Sequence, residues 1–68
     1  MQIFRFLTGV EDSTFCHKVT KALSEGWVLH GSPTLCFDPV KQVMIAGQAV
    51  TREAPDQPYD PDKKLVDY

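Results

Sequence analysis

No run in this 68-residue chain comes near the roughly 18 consecutive apolar residues that a membrane-crossing helix requires. Cysteine is scarce: Cys16 and Cys36 are the only two, too few for the disulfide framework of a small secreted scaffold. Excess positive charge is also missing, since 7 Lys and Arg stand against 9 Asp and Glu, for a formal net charge of -2. A nucleic-acid-binding domain needs a basic patch, and a peripheral membrane anchor needs a polybasic cluster. The sequence has neither, so neither nucleic acid nor membrane is an expected partner. It also has no Gly-rich phosphate loop and no internal repeat. The opening Met1-Gln2-Ile3-Phe4-Arg5-Phe6-Leu7-Thr8-Gly9 does not read as a secretory signal, because Arg5 interrupts the apolar run and Gly9 ends it. A cytoplasmic protein is the expectation.

What is present fits one small domain, with 43% hydrophobic and 24% charged residues. A core of this size rarely supplies more than roughly 3–5 kcal/mol. Economical packing, or support from a second copy of the chain, is therefore expected.

Residues 2–8 alternate and are rich in Phe, Ile and Leu, which predicts a strand ending at Gly9. Asp12, Ser13 and Thr14 supply N-cap candidates, and Phe15, Val19, Ala22 and Leu23 then recur on one helical face with Cys16 at its edge. The helix is expected over 12–25, with Gly26 at its C-terminal end and Leu23 in the core. Trp27-Val28-Leu29-His30 opens a second strand. Gly31-Ser32-Pro33 predicts a bulge in it, because proline cannot donate to a ladder. Thr34-Leu35-Cys36-Phe37 resumes the strand, Asp38-Pro39-Val40-Lys41 is a turn, and Gln42 to Arg52 forms a third strand. From 53 to 68 the chain carries Pro55, Pro58 and Pro61 with four Asp and one Glu. That composition predicts an acidic C-terminal tail, irregular or disordered, that the fold does not need.

The expected fold is α+β: a single β-α-β-β domain over 1–52, with a three-stranded antiparallel sheet of order 1-3-2 and one helix on one face. Phe4 and Phe6 are expected to face the helix, and Ile3, Arg5 and Leu7 the other way. Strand three is apolar in both phases, with Val43, Ile45 and Ala49 on one side and Met44, Ala46 and Val50 on the other. A half-solvated antiparallel strand would normally alternate. One helix cannot cover two apolar faces, so a homodimer or larger symmetric oligomer is expected.

The run Glu25-Gly26-Trp27-Val28-Leu29-His30-Gly31-Ser32-Pro33-Thr34, followed by Ala46-Gly47-Gln48-Ala49-Val50, resembles the bacterial domain of unknown function 1737 family (DUF1737). Phe15-Cys16, Val19 and Ala22-Leu23 fit the same pattern, so the resemblance covers roughly residues 1–52. It implies a small bacterial β-α-β-β domain and brings no activity with it.

Chemistry-bearing residues are few. Cys16, His17, His30 and Cys36 are atom types that zinc accepts, but no C-x-x-C or H-x₃-H spacing exists, and adjacent Cys16 and His17 point about 100° apart on a helix. Neither a metal site nor a Cys–His nucleophile is expected, and no cofactor or enzymatic activity is predicted. Trp27, His30 and Gln48 are the candidate contact residues. Trp27 reads most simply as a core cap beside the helix end. Gln48 is a polar residue in an apolar strand, either bonded to a backbone group or exposed. The favoured function is a non-catalytic interaction module that binds itself, with an unidentified protein or peptide as a further partner class. The alternative is a small-molecule-binding protein or minor enzyme with a pocket near Trp27, His30 and the Gly31–Pro33 bulge.

Overall fold

The computed structural model describes all 68 residues, in the order β1 (Gln2–Val10), α1 (Ser13–Ser24), β2 (Val28–Asp38) and β3 (Val43–Glu53). One turn of 3-10 helix follows at Leu65–Asp67. The sheet has three strands in the order β1-β3-β2, and both pairings are antiparallel. The chain thus forms the expected α+β arrangement, with α1 packed on one side of the sheet.

The two ends of α1 are made by the residues that its sequence offers. Asp12 is extended, and its carboxylate accepts from the Thr14 amide at 2.8 Å and the Phe15 amide at 3.4 Å, pairing two of the helix's orphan donors. At the other end Gly26 has φ +94. The Gly26 amide donates to the Leu23 carbonyl at 3.2 Å and the Trp27 amide to the Ala22 carbonyl at 3.1 Å. These two bonds make a Schellman motif, and Ala22 and Trp27, both buried, supply the apolar contact that accompanies it. A Cβ on Gly26 would meet only the Arg52 Cδ, at 3.8 Å, so there is room for a side chain but not for its backbone preference. Gly26→Val is therefore expected to cost about 1–3 kcal/mol through the left-handed conformation alone. An unchanged urea midpoint would show that the helix end re-forms without it.

The hairpin between β2 and β3 turns through Pro39–Gln42. The Asp38 carboxylate accepts from the amides of Val40 at 2.9 Å and Lys41 at 3.2 Å, as its place before a proline suggests. Gln42, not a glycine, takes the left-handed position, at φ 55. The expected bulge is present: pairing with β3 jumps from His30↔Ala49 to Thr34↔Gly47. Gly31, Ser32 and Pro33 lie opposite Gln48 alone, and Gly31 has φ 71.

Two expectations about burial are corrected. Phe4 and Phe6 do not face α1; they are 54% and 51% exposed on the far side of the sheet, while Ile3 and Leu7 are buried under the helix. Arg5 shares the helix side with them. Its guanidinium lies 5.1 Å from the centre of the Trp27 ring, so a long charged side chain is accommodated where charge implied solvent. Because strand side chains alternate, that one accommodation sets the phase of all of β1. Leu23 is 42% exposed rather than in the core, and Ala22 is the buried residue of that turn. The core is Ile3, Leu7, Ala22, Trp27, Val50 and Ala54, with Met1, Phe15, Val19 and Tyr68 packed around it.

The tail differs from the solvated terminus that its composition implied. It holds no helix or strand from Ala54 to Lys64. Yet Ala54 is buried, the Ala54 amide donates to the Met1 carbonyl at 2.9 Å, and Tyr68 packs on the core. The Arg52 guanidinium donates to the Tyr68 carbonyl at 2.8 Å. The Tyr68 hydroxyl donates to the Asp60 carbonyl at 3.0 Å and accepts from the Asp60 amide at 2.8 Å, closing the segment into a loop.

At the loop's start the Met1 ammonium donates to the Ala54 carbonyl at 2.7 Å and to the Asp56 carboxylate at 2.8 Å. The hydrogen bond to Asp56 raises the amine's pKa above its ordinary value near 8, and the same bond holds Asp56 below the usual carboxylate range. A raised amine stabilises below its unfolded pKa and loses that contribution as pH rises through its folded one; a depressed carboxylate loses its contribution as pH falls. The clasp is thus expected to hold between about pH 4 and pH 8. The Ala54 and Asp56 amide resonances should stay constant across that window and move outside it at both ends. Movement centred inside the window would show that the amine and carboxylate are not paired.

Candidate functional site

The pairing register assembles the uncovered face of the sheet row by row. Phe4, Thr51 and Val28 lie side by side across the three strands, then Phe6, Ala49 and His30. Thr8, Gly47 and Thr34 form the third row, and Val10, Ile45 and Cys36 the fourth. Directly opposed residues share a face, so these rows form one surface. A Cβ on Gly47 would fall 2.5 Å from the Phe6 ring and 2.9 Å from the Thr34 hydroxyl. The Phe6 ring therefore reaches over Gly47 of β3, into the space that a side chain there would occupy. Phe4, Phe6, Val10 and Val28 are the large apolar members left exposed.

The sheet's free edges are obstructed. Met1 and Ala54 bond to each other, and the Glu11 amide bonds the Met44 carbonyl, so odd-numbered β1 residues bond to β3 and even-numbered ones point to the free edge. On that edge the Lys18 ammonium, reaching from α1, donates to the Thr8 carbonyl at 2.7 Å. The other edge is β2, which the bulge and Pro33 break midway. A lysine, a bulge and a proline are the usual guards against strand addition. The face, rather than either edge, is the unguarded surface.

The three candidate contact residues go to three different places. Trp27 is 3% exposed in the core, with the Arg5 and Arg52 guanidiniums 5.1 and 5.0 Å from its ring centre. His30 is exposed on the open face beside Ala49. Gln48 is 5% exposed on the helix side. Its amide nitrogen reaches the carbonyls of His30 at 3.3 Å, Gly31 at 3.4 Å and Ala49 at 2.9 Å. Gln48 is thus a plug in the bulge, its side-chain amide bonded to carbonyls of both strands that flank the interruption. Three surface clefts are formed, and neither Trp27 nor His30 lines any of them. The cleft nearest the bulge, about 300 Å³, is walled instead by Phe15, Cys16, Val19, Thr20, Leu29 and Pro33, with Gln48 at its base.

Sequence reasoning missed the open-face pair Phe4 and Phe6, which it assigned to the helix side. Gly47 was the available signal, since a glycine inside a strand marks the close approach of another group. Cys16 and Cys36 are free and exposed. No helix is long and apolar enough to cross a membrane.

The model of one protein family, Domain of unknown function (DUF1737), matches residues 1–53. The chain belongs to the DUF1737 family. The matched span ends where β3 ends, so it holds the whole sheet, the helix and every row of the open face. No curated protein and no solved structure matches the chain.

Proposed function

We propose that this DUF1737 domain is a non-catalytic interaction module that pairs with a second copy of itself through the open face of its sheet. The observation that carries this reading is the exposure of Phe4 and Phe6, about half of each ring, on the side of the sheet that no other element covers. Small monomers seldom leave a contiguous apolar patch of more than a few hundred Å². Nine paired residues of β1 across three strands make a face on the order of 400 Å². A standard interface takes about 800 Å² from each partner, so the pairing is expected to depend on concentration. A two-fold arrangement, with the same rows meeting each other, closes the assembly without leaving an open end.

Light scattering coupled to size exclusion tests this. At high protein concentration the mass should be about twice the 7.7 kDa of one chain. Phe6→Lys should return it to the monomer mass with the strand content unchanged. Phe37→Lys is the control, because Phe37 lies on the helix side of β2 and is also exposed. A monomer for the native chain would remove the proposal. A dimer broken by Phe37→Lys and not by Phe6→Lys would move the contact to the other side.

A further inference from the structure

The groove beside the bulge lies on the helix side, opposite the open face, so it is available in a monomer or a face-to-face pair. Its walls come from two elements: Phe15, Cys16, Val19 and Thr20 of α1, and Leu29 and Pro33 of β2. It lies beside the bulge, where Gly31–Pro33 leave the ladder between β2 and β3. The only polar group at its base is the Gln48 side chain.

The orientation of that amide is determined by its surroundings. Three carbonyl oxygens stand within 3.4 Å of one end, and a carbonyl cannot donate, so the nitrogen must face them. The oxygen therefore points the other way. Nothing donates to it within the chain, yet no buried side-chain oxygen in the protein is both sealed from solvent and unpaired. Gln48 is 5% exposed, and the groove is the cleft that this side chain lines, so the remaining access of its oxygen lies there. The result is a largely apolar groove, with the Cys16 thiol and Thr20 hydroxyl on its α1 wall and one fixed hydrogen-bond acceptor at its base. Apolar walls with a few placed polar groups are the usual composition of a small-molecule site, and about 300 Å³ is at the small end of the range.

We propose that this groove binds a small, neutral, largely apolar molecule carrying one N–H or O–H donor, which bonds the Gln48 oxygen while its apolar body lies against Phe15, Val19 and Leu29. The walls carry no carboxylate, lysine or arginine, so neither an anion nor a cation is matched there. A donor is required, rather than tolerated, because an apolar ligand without one would cover the Gln48 oxygen and leave it unpaired.

Indole and benzofuran are suitable probes. They share one shape, and indole has a single N–H where benzofuran has an oxygen. With isotopically labelled protein, indole should shift the Gln48 side-chain amide and the Val19 and Leu29 backbone amides along a saturating curve. Benzofuran should bind on the order of fivefold more weakly or worse, the loss of one hydrogen bond. Leu29→Trp, at a half-exposed residue, should fill the groove and abolish the indole shifts while the rest of the spectrum stays folded. The proposal is overturned if indole causes no saturable shift, if benzofuran binds as well as indole, or if the shifts survive in the folded Leu29→Trp variant.

Discussion

Trp27→Ala is expected to leave most of the protein unfolded at room temperature. Three contributions meet at this side chain. It is 3% exposed, so its removal forfeits a large apolar burial and opens a cavity next to Ile3, Ala22 and Val50. Changes of this kind cost about 3–5 kcal/mol. Arg5 and Arg52 both lie over the ring, and the Arg52 guanidinium also donates to the Tyr68 main-chain oxygen, so the ring is a shared partner of two guanidiniums. Such contacts are each worth about 0.5–1 kcal/mol at partly exposed sites. Trp27 also closes the Schellman motif, so the cavity opens where α1 is anchored to the sheet. A core in a domain of this size supplies roughly 3–5 kcal/mol in all, which is no more than the loss. Far-ultraviolet circular dichroism should show loss of native structure without denaturant, and Trp27→Phe should fall between the two. A folded Trp27→Ala variant with a native urea midpoint would place the core elsewhere.

The order of elements was legible because each rests on local chemistry. Asp12 and Gly26 mark the ends of α1, Asp38-Pro39 marks the turn, and Gly31-Ser32-Pro33 marks the bulge, all through backbone geometry that few residues permit. The phase of β1 was not legible. Ile3-Phe4-Arg5-Phe6-Leu7 is apolar in both phases apart from Arg5, and a charged residue is ordinarily evidence for the solvent side. Here the guanidinium is held over Trp27, a contact between positions 22 residues apart that no local pattern announces. The helix face misled in a similar way. Phe15, Val19, Ala22 and Leu23 span a wide stripe, but α1 lies mainly over β1, so Leu23 falls beyond the contact. That strand three carries apolar residues on both sides holds whichever side the helix takes.

Gln48 shows why the candidate site was only partly readable. A polar residue in an apolar strand signals a partner or exposure, and it has a partner, in the three carbonyls around the bulge. The bulge and the glutamine are one device. The two features lie 15 or more residues apart in sequence, and only the antiparallel register of β2 with β3 brings them together. His30 and Trp27, close in sequence, diverge because alternation places His30 on the open face, whereas Trp27 precedes β2 and turns into the core.

Deleting residues 55–68 is expected to lower the melting temperature, although the composition of that segment alone argues for no effect. The segment is acidic and carries three prolines, so it contributes little regular structure and pays an ordering entropy. What opposes that entropy is concentrated at its two ends. At the first, Asp56 holds the Met1 ammonium, an exposed contact of small weight. At the second, Tyr68 packs on the core and takes the Arg52 guanidinium on its carbonyl, while the Lys63 ammonium lies 4.5 Å from the Tyr68 ring centre. Arg52 is one of the two cations over Trp27, so the loss propagates to the residue that the core depends on most. A net cost of about 1–2 kcal/mol corresponds to a fall of roughly 5–15 °C in a domain of this length. Tyr68→Ala in the full chain should reproduce most of that fall, because it removes the core contact and the hydroxyl's pair of bonds to Asp60. Arg5→Ala should add to the deletion less than its effect in the full chain, since both act through the environment of Trp27. A truncated protein that melts with the full chain would show that the tail rests on the core without stabilising it.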